Sequence, residues 1–308
     1  MGWSDEGDAA AVALRDAGRE AREIDLVIEL GMTWTARHTP NVRLDAGASV
    51  ASGVALAAQV IASGTCDDVL IVAAARPGGA RDEAALARAY CRKHGRSLES
   101  YDEAMFELAR TRRLHGALAG LGETLEMEAR RRQFASEEAL WRSGTVKPTP
   151  AIGSTAIVVT RAADDAAVRV LGIGGATGNG IDPIDRACVS IAAARAFEMA
   201  CAGARDVDYL DAPGALASLC IAEQLGYLPV SEALRVAALG RTRFDRDRAM
   251  ATSGGSHASD DASGGRSVCE AIVQLRGRAG ARQLSRRPQR AAIVATDDDS
   301  ATVLVLGK

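Results

Sequence analysis

The chain has 308 residues, of which 47% are hydrophobic and only 4% aromatic, so its core is built mainly from Ala, Val, Leu and Ile. With 37 basic and 40 acidic residues, the net charge is −3 and the pI about 5.9, which gives no reason to expect a nucleic acid or an anionic membrane as partner. This length and composition favour one large or two medium α/β domains.

The first part of the chain alternates predicted helices and buried strands. A helix within residues 7–18 is followed by the short strand IDLVIEL at 24–30. The next helix runs from Val50 to Ser63, where Gly64 ends it, and the all-apolar strand DVLIVAAA follows at 68–75. Other elements must therefore cover both faces of that strand.

A charged segment follows that is rich in helix signals and poor in strand signals. It is predicted to be a helical insertion over about residues 81–145, with a turn in AGLGET, and the strand STAIVVT at 154–160 comes after it. The basic clusters RTRR (110–113) and RRRQ (130–133) are predicted to be solvated helix faces. One of them could still hold a coenzyme phosphate.

A second series of elements resembles the first in order. It starts with the strand VRVLGIGGA and continues with two helices around a strand, a Gly/Ser loop, a helix and two final strands, at 168–176, 186–203, 208–212, 216–226, 265–277, AAIVAT and ATVLVLG. Each half has a Ser/Gly loop that leads into an apolar helix and a buried strand. The repetition predicts an αβαβα layered sandwich of two similar halves, residues 1–165 and 166–308.

The six cysteines are scattered without a CxxC pair, mostly in apolar segments, and are predicted to be buried free thiols in a reducing cytoplasm. The N-terminus lacks the apolar segment of a signal peptide, and no run of eighteen apolar residues occurs. A cytoplasmic protein is therefore expected, without a metal site. GIGGATGNG at 172–180 is only superficially like a dinucleotide fingerprint, because no helix opens within it, and no nicotinamide cofactor is predicted.

Four segments together resemble one family. They are ALRDAGREAREIDLVI, GASVASGVALAAQVIASGTCDDVLIVAAA, YLDAPGALASLCIAEQLGYLPVSEA and TSGGSHASDDASGGRSVCEAIVQLRGRAGARQL. They resemble the thiolase superfamily and, within it, the thiolases similar to sterol-carrier-protein thiolase; the last segment is the most specific. The resemblance implies a thiolase-like fold, acyl-CoA as the ligand without a further cofactor, and a homodimer paired through the strand at 68–75.

The resemblance also implies that the catalytic residues of a thiolase are missing. The nucleophilic cysteine of the family lies just before the helix at 50–63, and the matching position here is Gly47, or Val50 in the other registration. The family histidine should lie in SGGSHASDDASGG, where His257 comes several residues early and Asp261 takes the matching place. The second cysteine would fall in ATDDDSATV, which has none. Thiolase activity is therefore not expected.

Some members of this branch that also lack the cysteine resemble retro-aldolases. These cleave a β-hydroxyacyl-CoA side chain, often steroid-derived, and work with a small OB-fold, zinc-ribbon protein that binds the acyl-CoA. Family tyrosines carry out the acid–base chemistry. The matching positions here are Leu210 and Asp261, so the aldolase signature is incomplete as well.

Three side chains are predicted to move protons, namely Asp211, Asp261 and His257. A carboxylate in an apolar pocket has its pKa raised toward neutrality, and an imidazole titrates near neutrality. The alternative is structural: Asp211 caps the next helix, and Asp260 and Asp261 are solvated loop carboxylates. The three other histidines are predicted to be surface residues: His38, His94 and His115.

Substrate binding is predicted at two backbone segments. Gly254, Gly255 and Gly264 belong to a loop that lines the acyl pocket, where positive φ or a close backbone approach requires glycine. Gly47, Ala48 and Ser49, at the start of a helix, are expected to present backbone N–H groups to an oxygen of the ligand.

The first strand of the family, expected in the middle of the N-terminal sheet, is not found, so the chain is expected to begin inside its first helix. A sheet without that strand would expose apolar edges. The leading hypothesis is an acyl-CoA-binding protein of lipid or steroid side-chain metabolism, acting as an aldolase-like C–C lyase or as an impaired subunit of such a complex. The alternatives are an acyltransferase whose nucleophile is misregistered or partner-supplied, and a non-catalytic scaffold for an active thiolase paralogue.

Overall fold

Two β-sheets organise the chain, and the computed structural model describes residues 2–4, 9–32, 39–44, 48–77, 83–149, 153–162, 167–178, 184–259, 261, 263–297 and 299–308. The first sheet has the order β1-β5-β4-β2-β3, from the strands β1 (Gly2–Ser4), β2 (Leu26–Leu30), β3 (Asn41–Leu44), β4 (Asp68–Ala74) and β5 (Ser154–Thr160). Strand β2 pairs in parallel with β3 and β4, whereas β5 is antiparallel to β4 and β1.

The second sheet has the order β6-β9-β8-β7 and comes from the later part of the chain. Its strands are β6 (Arg169–Thr177), β7 (Tyr209–Asp211), β8 (Arg290–Thr296) and β9 (Ser300–Gly307). Strand β7 is parallel to β8, and β9 is antiparallel to both β8 and β6.

Helices cover both sheets and separate them. The described helices are α1 (Ala9–Asp16), α2 (Val50–Ala62), α3 (Glu83–His94), α4 (Leu98–Leu118), α5 (Leu125–Arg131), α6 (Glu137–Arg142), α7 (Ala187–Met199), α8 (Leu216–Gln224), α9 (Ala233–Ala238), α10 (Gly255–Ala258) and α11 (Gly265–Arg276). Helices α2 and α11 each contact strands of both sheets, while α1 packs on the first sheet and α7 on the second. The predicted αβαβα layering is confirmed.

Strand β4 shows why its sequence is apolar throughout. Val69 and Ile71 pack into the central layer with α2, and the alternate residues Leu70 and Val72 pack against α1 on the outer face. All four are fully buried, and burial of such a side chain stabilises the fold by roughly 1.5–3 kcal/mol. The strand is therefore a central element of the core.

Two expectations about the first sheet are wrong. The chain does not begin inside its first helix, because β1 precedes α1 and pairs with β5 at the edge of a sheet that is continuous from β5 through β4 to β2. Two copies also cannot pair through β4, since its backbone is already paired with β2 on one side and with β5 on the other. The homodimer itself remains a prediction.

The predicted insertion contains α3, α4, α5 and α6, and one of its basic clusters is not solvated. Arg112 and Arg113 are buried on α4, because Arg112 lies one turn after the buried Leu108 on the face that packs into the core. His115 is buried on the same helix, so its prediction as a surface residue is also wrong. In the part of the chain that the structure describes, every helix falls short of what crossing a bilayer requires.

Candidate active site

A cavity of about 630 Å³ opens where the two sheets and the central helices meet. The N-terminal end of α2, the ends of β7 and β8, and the loop around α10 form its walls. It brings together most of the predicted site residues: Ala48, Ser49, Asp211, Gly255, His257, Asp261 and Gly264. Gly254 lies between two lining residues, Ser253 and Gly255, while Gly47 and Asp260 lie outside the described residues.

Asp211 is the most deeply buried carboxyl group of this cavity, with 1% of the residue exposed. Its Oδ2 accepts a hydrogen bond of 2.8 Å from the Tyr209 hydroxyl, and the Ser267 side chain also bonds to it. Burial raises the pKa of Asp211 to about 6, although the Tyr209 hydrogen bond and the charge of Arg112 act in the opposite direction. Asp211 therefore exchanges a proton close to neutral pH, as a general base or acid must.

This shift predicts a pH-dependent effect of Asp211→Asn on stability. Because the pKa of Asp211 is about 6 in the folded chain against an ordinary 3.8, the folded state keeps this proton to higher pH. Stability therefore falls as the pH rises from about 4 to about 6 and stays lower above. We expect the free energy of unfolding of Asp211→Asn to be up to about 3 kcal/mol higher than that of the parent at about pH 8. At about pH 4 the two free energies should be nearly equal.

Urea denaturation at both pH values measures this effect. Asp102→Asn, which changes an exposed carboxylate on α4, is the control and should behave like the parent. An Asp211→Asn effect of the same size at both pH values would contradict the prediction.

Asp261 also faces the cavity, but its carboxylate accepts hydrogen bonds from the surrounding loop and from the segment after β4. Oδ1 accepts backbone hydrogen bonds from Arg76 at 3.2 Å and Ser263 at 2.9 Å, and Oδ2 accepts one from the Ser263 hydroxyl at 3.0 Å. These contacts tie the loop to the segment that follows β4. The geometry favours a structural use of Asp261, and Asp211 is the better candidate for proton transfer.

His257 lies in the short helix α10 and lines the cavity, and the residue as a whole is partly exposed. Burial, together with the charges of Arg112 and Arg113, lowers the pKa of His257 to about 3. At neutral pH the imidazole is thus neutral, and its Nδ1 is a polar atom that is shielded from solvent and has no partner among the described residues.

Arg112 is a site residue that the sequence analysis missed. Its guanidinium donates to the Gly214 carbonyl at 2.6 Å and to the Ser218 hydroxyl at 2.5 Å, which fixes the cavity wall that follows β7. Only 1% of the residue is exposed. The spacing of Arg112 from Leu108 and Ala104, which lie one and two turns earlier on the same helix face, was the available signal.

The N-terminal end of α2 is already partly capped. The Ser49 hydroxyl accepts the Ser52 N–H at 3.1 Å, and the Val50 N–H donates to the Ser263 carbonyl at 2.8 Å. The Ser52 hydroxyl, bonded to Ser49 at 3.0 Å and to Thr302 at 3.2 Å, places a line of three hydroxyl groups on the cavity wall. This end of α2 therefore offers hydroxyl groups to a ligand, while two of its backbone amides are occupied.

No cysteine is among the described residues that line the cavity. Val50, one of the two positions that match the family nucleophile, is fully buried in the central core. Cys269 lies one turn after the lining residue Arg266, but it is buried, and burial raises its pKa to about 12. The described walls thus provide no thiolate for acyl transfer.

Residues 180–306 match the family model described as thiolase C-terminal domain-like. The whole chain is similar in fold to the Ltp2-ChsH2(DUF35) aldolase, at 15% identity and a TM-score of 0.77, with 100% of this chain and 95% of that chain covered. It is also similar to a monomeric SCP2-thiolase-like protein of type 1 from Mycobacterium smegmatis, at 17% identity and a TM-score of 0.70, with 98% and 72% covered.

Human mitochondrial 3-ketoacyl-CoA thiolase is a third similar structure, at 15% identity and a TM-score of 0.62, with 97% of this chain and 91% of that chain covered. A search of curated protein sequences finds no match. The predicted resemblance is confirmed: residues 180–306 match the thiolase C-terminal domain-like family model, and the chain has a thiolase-like fold over its whole length. Two of these similar structures, the aldolase and the SCP2-thiolase-like protein, are of the kinds that the sequence resemblance had indicated.

Proposed function

We propose that the protein is a retro-aldol C–C lyase that cleaves a β-hydroxyacyl-CoA of lipid or steroid side-chain metabolism in this cavity. One observation carries the proposal: the described cavity walls hold a buried carboxyl group that titrates near neutrality, Asp211, and no cysteine. The similarity in fold to an aldolase supports it.

Asp211 is the base of the proposed reaction. Its carboxylate takes the proton of the β-hydroxyl group as the Cα–Cβ bond breaks, and the electron pair of that bond forms the enolate of the shortened acyl-CoA. The hydroxyl carbon leaves as an aldehyde or ketone. Protonated Asp211 then returns the proton to Cα, so atoms and charge balance without a further reactant.

His257 is the proposed stabiliser of the enolate. A neutral imidazole carries one N–H, and it donates to the enolate oxygen without introducing a charge that the buried site would have to desolvate. The partly buried Arg266 and Arg76 share the cavity and suit the negatively charged part of acyl-CoA. Asp261 takes no part in the proposed reaction, because its carboxylate is hydrogen-bonded to Arg76 and Ser263.

The test is cleavage of a β-hydroxyacyl-CoA, followed by the release of the carbonyl product. We expect Asp211→Asn to lower kcat by about 10²-fold or more, because the general base is lost. Asp261→Asn, the matched control on the same cavity wall, should retain most of the activity of the parent. Equal activity of the parent and Asp211→Asn would reject Asp211 as the base.

The same assay separates the two alternatives. CoA-dependent thiolysis of a β-ketoacyl-CoA would support an acyltransferase. The described cavity walls, which hold no cysteine, make this the less favoured alternative. The aldolase of similar fold is a complex of two named components, so each reaction should be run alone and with an OB-fold, zinc-ribbon acyl-CoA-binding protein from the same cell. No turnover in either arm would favour the non-catalytic scaffold.

A further inference from the structure

Tyr209 lies directly behind the cavity wall, in the central layer of the fold. It is fully buried on β7 and does not line the cavity. Residues 209 and 211 of the strand point to the same face, which brings the phenol to the Asp211 carboxylate. The position that matches the family tyrosine is Leu210, and it packs on the opposite face of the sheet.

The hydrogen bonds around Tyr209 determine where its proton points. The backbone N–H of Thr252 donates to the Tyr209 hydroxyl oxygen at 3.2 Å, and an N–H group can only donate. The single hydrogen of the hydroxyl is therefore left for the Asp211 Oδ2, at 2.8 Å. The Thr252 contact therefore favours the direction in which Tyr209 donates to Asp211.

Thr252 is held by a second layer of buried polar groups. Its hydroxyl donates to Glu270 at 2.7 Å and accepts from the Gln274 amide at 3.0 Å. Arg282 in turn pairs with Glu270 at 2.9 Å. This network fixes the donor that orients the Tyr209 hydroxyl.

We infer that Tyr209 is a positioning residue that holds Asp211 in one orientation and favours its ionised, proton-accepting form. The inference rests on the proposed function for the role of Asp211 as the base. A carboxylate that accepts a hydrogen bond is stabilised relative to its protonated form, so the Tyr209 bond keeps the buried Asp211 available to accept a proton at neutral pH.

Other groups also act on Asp211 and set the size of the effect. Arg112 from α4 and Ser267 from α11 favour the ionised form, whereas the charge of Glu270 from α11 and burial oppose it. The remaining titratable side chains of the described cavity walls are Arg76, Glu83, His257, Asp261, Arg266 and Asp297. Loss of the Tyr209 bond therefore shifts the titration of Asp211 without abolishing it.

The experiment measures the titration of Asp211 directly, by infrared spectroscopy of the protonated carboxyl band, which Asp211→Asn assigns. We expect Tyr209→Phe to move the midpoint of this titration upward by roughly one pH unit. Tyr227→Phe is the matched control, because Tyr227 is also buried but donates to the backbone carbonyls of Ala249 and Asp208. An unchanged midpoint in Tyr209→Phe would overturn the inference.

A second probe applies even where Tyr209→Phe does not fold. Incorporation of 3-fluorotyrosine at position 209 keeps the packing but strengthens the donor, and it should move the midpoint downward; no movement would overturn the inference as well. Neither readout depends on turnover, so an inactive protein with the expected shifts would reject the lyase and keep the role of Tyr209. In an active protein, the acid limb of the kcat profile should follow the same shifts.

Discussion

Replacing Gly254 with alanine is expected to lower the free energy of unfolding by about 3 kcal/mol or more. Gly254 has φ +99°, and an added Cβ would lie 2.3 Å from the Ala258 Cβ and 2.9 Å from both the Arg112 carbonyl oxygen and the Gly116 Cα. The substitution therefore combines backbone strain with a clash against α4 and α10. Because Arg112 and α10 both form the site, the cavity should also lose affinity for its ligand.

Gly264→Ala is the matched control for this substitution. Gly264 also has a positive φ, +72°, but an added Cβ would meet no heavy atom within 4 Å. Only the backbone cost of about 1–2 kcal/mol is then expected. Urea denaturation of both variants tests the comparison, and equal losses would show that the close approach of Gly254 to α4 is not what requires glycine there.

Arg113→Met is expected to lower the free energy of unfolding by about 3–5 kcal/mol, because it leaves the Glu128 carboxylate buried without its partner. The side chains of Arg113 and Glu128 form an ion pair with exposed fractions of only 4% and 6%. Arg113 also donates to the His257 carbonyl at 3.1 Å, so its loss should loosen the segment that carries the candidate histidine.

Two comparison variants make this result specific. Arg142→Met breaks an ion pair with Glu138 whose side chains are 64% and 56% exposed, and such surface pairs contribute less than about 1 kcal/mol. The double variant Arg113→Met, Glu128→Leu removes both buried charges and should recover most of the stability that the single variant loses. A double variant as unstable as Arg113→Met would show that the cost comes from packing rather than from the unpaired charge.

Asp211 and Asp261 differ in their surroundings in the folded chain, although the sequence predicted the same role for both. Asp211 lies in a predicted strand and Asp261 in a predicted Gly/Ser loop, and both were predicted to carry protons. In the fold, Asp261 accepts three hydrogen bonds from Arg76 and Ser263, whereas Asp211 is enclosed at the end of β7. Whether a carboxyl group titrates near neutrality depends on this enclosure, which no local pattern contains.

The sequence by itself determined the layered α/β fold, the resemblance to thiolases and the absence of a cysteine in the segment that begins α2. These properties follow from local periodicity and residue identity, as in β4, whose alternate residues face two different layers. The tertiary structure alone decided that β4 is a central strand paired on both sides, that Arg112 and His115 are buried, and that Tyr209 bonds to Asp211. The physical reason is that these features depend on partners distant along the chain: β5 for β4, Gly214 for Arg112 and Thr252 for Tyr209.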